Sequence, residues 1–93
     1  MDERLYILID DKLSSGQKMS QSCHAAAEFM LKHPGIWNNS TIIILDAPRY
    51  VIDKMISKGA LGYQDIYYDH PKAAAFHGAS SLTEYTKDLK LAR

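Results

Sequence analysis

The sequence is short of cysteine, of net charge and of long apolar runs, and each shortage excludes something. Cys23 is the only cysteine, so no disulfide can form within the chain, and the composition suits a reducing compartment. Eleven Lys and Arg residues balance eleven Asp and Glu residues. A protein that grips a polyanion by neutralising its phosphates carries a basic excess. The balance therefore argues against a DNA- or tRNA-sized ligand and leaves a small anionic one open. The first apolar run, "LYILI" from Leu5 to Ile9, follows a charged "MDER" and is too short for a signal peptide or a membrane span. A cytoplasmic protein with no membrane partner is expected. The four histidines, His24, His33, His70 and His77, show no metal-ligand spacing, so no metal is expected, nor any other cofactor.

What is present reads as one domain over residues 1–93, with 46% hydrophobic and 24% charged residues and a modest core. "LYILI" and "TIIIL" (Thr41 to Leu45) lack alternation and suit central strands buried on both faces. "DIYYD" (Asp65 to Asp69) and "AAAFHGA" (Ala73 to Ala79) are weaker strand candidates joined by a turn at Pro71. Ser14 and Gln17 have capping-box spacing and open a first helix. Met19, Cys23, Ala26 and Met30 recur on it at helical spacing and are expected to face the sheet, with Pro34-Gly35 as its stop. A second helix is expected from Pro48 to Gly59, burying Val51, Ile52, Met55 and Ile56. Ser81 and Glu84 predict a third, through Leu82, Tyr85 and Leu89. The order of elements predicts an α/β sandwich with a mostly parallel sheet.

The stretch Asp10 to Ala25 resembles the signature of the archaeal and eukaryotic-type (type 2) peptidyl-tRNA hydrolases, roughly D-L-x-M-x-x-G-K-x-A-A-Q-x-x-H-A. Asp10, Gly16, Gln21, His24 and Ala25 stand at the matching places without a gap, and Leu13 replaces the Met. Trp37 resembles a common family tryptophan, and Asp69 falls where the family has D-A-G-x-T. The resemblance implies a three-layer α/β/α sandwich around a four-stranded mixed sheet. It also implies that Gln21, His24 and Asp69 would serve catalysis if the chain is a hydrolase. The departures lie at the reactive positions: Gln17 stands at the family lysine, and Asp69-His70-Pro71-Lys72-Ala73 loses the threonine hydroxyl. Lys18 is one residue along, a rotation of about 100° on a helix. Losing one group that stabilises the oxyanion typically costs about 10²–10³ in rate.

Three function classes follow. The first is a peptidyl-tRNA hydrolase, with tRNA as partner. The second is a catalytically silent binder of a small nucleotide. Phage-encoded sponges that sequester cyclic dinucleotide immune signals and so block CBASS defence include a family that looks similar to this hydrolase fold without its activity. The third is a protein-interaction module. The second is preferred, with a homo-oligomer, dimer or tetramer, supplying the pocket walls. Its expected ligand contacts are Ser14, Ser15, Gly16, Gln17 and Lys18 at the helix start, Gln21 and His24 further along, and Tyr68, Asp69, His70 and Lys72 in the turn. Free N–H groups at the helix start favour phosphate, the lysines supply charge and a tyrosine supplies a stacking face. Competing uses exist for the same residues: Gln17, Gln21, His24 and Glu28 also describe the solvated stripe of an amphipathic helix, and tyrosines more often pack than stack on ligands. Cys23 reads as a small core residue.

Overall fold

The run from Leu5 to Ile9 has no charge to offer solvent on either side of a strand, and the chain places it at the centre of its sheet. In the computed structural model, which describes residues 2–93, the order is β1 (Leu5–Asp10), α1 (Ser15–Lys32), β2 (Ile42–Ala47), α2 (Arg49–Ser57), β3 (Leu61–Tyr63) and β4 (Ala73–His77). A 3-10 helix (Ser81–Thr86) and β5 (Lys90–Leu91) complete it. The sheet is five-stranded and mixed, in the order β3-β4-β1-β2-β5. β1 and β2 run parallel, with Leu5 opposite Ile42, and the other three pairings are antiparallel.

Side-chain alternation along β1 divides the core between two faces. Leu5, Ile7 and Ile9 pack with Ala25 and Phe29 of α1, while Tyr6 and Leu8 pack with Ile52 and Met55 of α2. This gives three layers. Leu5, Ile7, Leu8 and Ile9 are wholly buried, and each such side chain contributes about 1.5–3 kcal/mol. The alanines of β4 are equally buried, because small residues there let a helix approach from each side. Phe76 stacks on Tyr6 with ring centroids 5.4 Å apart.

The first two helices begin and end where expected. Ser14 Oγ accepts from the Gln17 backbone N–H at 3.3 Å, and Gln17 Oε1 accepts from the Ser14 N–H at 2.9 Å, closing the capping box. The His33 N–H donates to the Phe29 carbonyl, and Gly35 turns the chain with φ 82°. Pro48 caps α2, Ile52 and Met55 are buried along it, and Gly59 leaves it with φ 111°.

Several expectations are corrected. The sheet has five strands where the resemblance implied four, and only one pairing is parallel. No strand forms over Asp65–Asp69. Asp65 Oδ1 accepts from the Tyr67 N–H and its carbonyl accepts from the Tyr68 N–H, local bonds that compete with a ladder. The strand comes earlier, at Leu61–Tyr63. Gly62 packs closely there under α2: a Cβ would sit 2.7 Å from Ile56 Cδ1, so the Ile56 side chain would have to shift. The C-terminal helix is a 3-10 segment capped by Ser80, not Ser81. The Thr83 and Thr86 hydroxyls donate to carbonyls three residues back, an arrangement that competes with regular α-helical bonding.

The helix phase of α1 is also corrected. Met19 is 69% exposed, and Met30 and Cys23 are exposed, whereas Gln21, Ser22, Ala25 and Phe29 are buried. The helix packs over β1, β4 and β3, so the side turned to the sheet is set by Phe29 and not by the methionines. Its flank toward β2 is left open.

Candidate functional site

Asp10 ends β1 at the point where the chain leaves the sheet, the edge at which α/β proteins commonly bind ligands. It is a carboxylate with only 2% exposure, which demands partners. Oδ1 accepts from the Lys12 backbone N–H at 2.9 Å, and Oδ2 accepts from Lys72 Nζ at 3.3 Å. The Asp10 N–H donates to the Lys72 carbonyl, which ties the end of β1 to the start of β4. His70 Nε2 lies 3.8 Å from Oδ2. Burial is the strongest influence on this carboxyl and opposes its ionisation. The Lys12 N–H, the Lys72 ammonium and His70 together outweigh burial and hold it below the usual carboxylate range.

The segment from Asp65 to Lys72 wraps this carboxylate. Lys72 Nζ lies 5.3 Å from the centre of the Tyr68 ring. His70 Nδ1 is 2.6 Å from the exposed Asp69 carboxylate, and that hydrogen bond, more than any other contact, lowers the Asp69 pKa. Gln21 reaches across from α1, its Nε2 donating to Asp65 Oδ2 at 3.3 Å. Gln21 Oε1 and His70 Nε2 are buried and have no hydrogen-bond partner among the described residues.

Of the sequence-predicted contacts, the structure brings Tyr68, His70 and Lys72 together at Asp10, with Asp69 bonded to His70, while Gln21 meets the same segment only at Asp65. His24 is close by on the helix surface, stacked on Tyr63 with centroids 5.4 Å apart. Burial pushes the Tyr63 hydroxyl up, with Asp65 and Glu28 adding to the effect. Ser14, Ser15, Gly16 and Gln17 form the exposed first turn of α1, with the Gln17 side chain occupied in the cap. Lys18 goes elsewhere: its Nζ lies 2.8 Å from Asp46 Oδ1 on β2, an ion pair lacking directed hydrogen-bond geometry, and donates to the Arg93 carbonyl at 3.2 Å. Asp10 and Asp65 were not singled out from sequence as ligand contacts. An acid closing the apolar run, the first of the pair Asp10-Asp11, was a usable signal for Asp10; Asp65 carried none.

Chemically, the cluster offers a fixed ammonium, an imidazole and an aromatic face around one carboxylate. No group of three or more His, Cys, Asp or Glu residues among those described is arranged to hold a metal. Among the described residues, no helix is long and apolar enough to cross a membrane. The sequence matches no protein-family model and no curated protein.

Proposed function

We propose that the protein binds a small phosphate-bearing nucleotide of the cyclic dinucleotide class without hydrolysing it, in the manner of a phage sponge that sequesters immune signals. The observation that supports this reading is the Lys72 ammonium, held 3.3 Å from Asp10 with His70 on the same carboxylate and the Tyr68 ring 5.3 Å away. An ammonium has three N–H donors, and Asp10 takes one of those on Lys72, so an incoming phosphate oxygen can take another. Tyr67, 85% exposed at the adjacent turn, offers a face for a base.

Silence toward hydrolysis rests on Gln17. At the position where the resemblance expects a lysine, a neutral amide is engaged with the backbone of its own cap. Nearby Lys18 is neutralised by Asp46. A second reading, peptidyl-tRNA hydrolase, is favoured by the Asp69–His70 hydrogen bond, which could orient an imidazole base. Two measurements separate the readings. Mass spectrometry of small molecules released by denaturing the purified protein should find a nucleotide. An ester-cleavage assay on peptidyl-tRNA should show no multiple turnover; turnover abolished by Asp69→Ala would replace the binder with the hydrolase. We further propose a homo-oligomer, to be read as a light-scattering mass above the 10.5 kDa of one chain.

A further inference from the structure

The Asp10 cluster is short of positive charge for a phosphate ligand. Asp10 and Asp69 bring two carboxylates to it and Lys72 one ammonium, so with His70 neutral these four side chains are net negative and repel an anion. Arg49, at the start of α2, adds a charge that reaches Asp69, but it lies 3.7 Å from Asp53, which offsets it. His70 is the member of the cluster whose charge can change near neutral pH.

The contacts around His70 fix where its hydrogens sit. Nδ1 is 2.6 Å from Asp69 Oδ1, and the Asp69 carboxyl is held below the usual carboxylate range, so it is ionised and can only accept. Nδ1 therefore carries the hydrogen, and in a neutral ring Nε2 is left as a bare acceptor. Nε2 lies 3.8 Å from Asp10 Oδ2, itself an acceptor, and is buried without a donor among the described residues. The Lys72 ammonium donates to Asp10 Oδ2 and not to the ring. A lone pair set against a carboxylate is repelled by it. A proton on Nε2 turns that repulsion into attraction and leaves His70 bridging Asp69 and Asp10. The proton needs no cavity, since the ring sits in a turn whose preceding side chain, Asp69, is 91% exposed.

An anion arriving at Lys72 supplies the bias. Its charge favours the imidazolium over the neutral ring, and the imidazolium, drawing on Asp10, leaves the Lys72 ammonium freer for the phosphate. We infer that nucleotide binding at this site is coupled to uptake of one proton at His70 Nε2, so that affinity is highest in mild acid and falls as pH rises. The sign follows from linkage: the complex holds more protons than the free protein, so raising the pH favours the free protein. This coupling rests on the nucleotide-binding reading and adds the regulation of that site.

Calorimetry with cyclic di-AMP and cyclic di-GMP tests it between about pH 6 and about pH 8, where histidine is the side chain that ordinarily changes charge and a phosphodiester stays ionised. Wild type should lose affinity by up to about tenfold per pH unit toward the upper end. Its binding heat near neutral pH should differ between Pipes and imidazole buffers in the sense of proton uptake. His70→Gln, whose amide can still donate to Asp69 but takes no proton, should bind with a flat pH profile and heats that do not depend on the buffer. Nitrogen spectra of the four imidazoles in wild type, with and without nucleotide, identify the ring that gains the proton and serve if His70→Gln does not fold. Failure to bind either nucleotide at any pH overturns the binding reading and this coupling together. Binding without proton uptake, or uptake that persists in His70→Gln or falls on another imidazole, overturns the coupling alone and leaves the nucleotide site standing.

Discussion

On the flank of α1 that faces β3 and β4, Gln21 reaches Asp65 and Asp10 gathers the Lys12 N–H and the Lys72 ammonium. On the flank that faces β2, the walls of the open cavity are mainly apolar apart from Asn39, and the buried Ser22 hydroxyl and Trp37 indole N–H have no hydrogen-bond partner among the described residues. One helix thus borders a charged, internally bonded cluster and an uncharged cavity. The difference follows from how α1 lies: it leans over β4 and β3, brings Gln21 down onto the turn and lifts away from Ile42 and Ile44. Perturbing the first flank should cost stability by breaking existing pairs. Perturbing the second should cost little, because little is paired there.

The largest effect is expected at Asp10. Asp10→Ala leaves the Lys72 ammonium, whose side chain is 14% exposed, without its carboxylate. Removing one partner of a buried pair typically costs about 3–5 kcal/mol, and a urea titration should show a loss near the lower end of that range. Next comes Gln21→Ala, which breaks the link to Asp65 and should cost about 1–2 kcal/mol while making the Asp65–Lys72 segment more open to limited proteolysis. Smallest is Ser22→Ala, within about 0.5 kcal/mol of wild type or slightly stabilising, because the hydroxyl it removes has no partner. A Ser22→Ala loss as large as that of Gln21→Ala would erase the distinction between the flanks.

Acid should act on the polar flank selectively. The Asp10 carboxyl is held below its ordinary value in the folded protein. Its contribution to stability is therefore fully present above the ordinary carboxyl value of about 4 and is lost as pH falls through the lower folded value. Asp2, held chiefly by its hydrogen bond to Arg4, and Asp69, held chiefly by His70, add contributions of the same sign. Asp10→Asn should shrink the fall in urea midpoint between neutral and acid pH without removing it. An unchanged pH profile would show that Asp10 is not ionised in its pair with Lys72.

Much of this arrangement was legible in the sequence. Leu5–Ile9, the Ser14–Gln17 capping box and Gly59 all carried local signals that the fold obeys, since each depends on neighbours within a few residues. The phase of α1 did not, because Met19, Cys23 and Met30 make as regular a stripe as the one around Phe29, and only the tilt of the helix on the sheet chooses between them. Asp65–Asp69 looked like a strand because its tyrosines favour one, but the Asp65 side chain bonds the following backbone and holds a turn. At the candidate site, Tyr68 to Lys72 was legible as a turn with charge and aromaticity. The direction taken by Lys18 was not, since it depends on Asp46 in a different strand.

That last contrast provides the most direct test of the proposed function. Calorimetry with a panel of cyclic dinucleotides should compare wild type with Lys72→Ala and Lys18→Ala. Wild type should bind at least one of them, and Lys72→Ala should bind it about ten- to a hundredfold more weakly, as expected for loss of a charge-assisted phosphate contact. Lys18→Ala should bind nearly as wild type does, because its ammonium is spent on Asp46. No binding by wild type, or full affinity in Lys72→Ala, would contradict the account and remove the Asp10–Lys72 cluster as a nucleotide site.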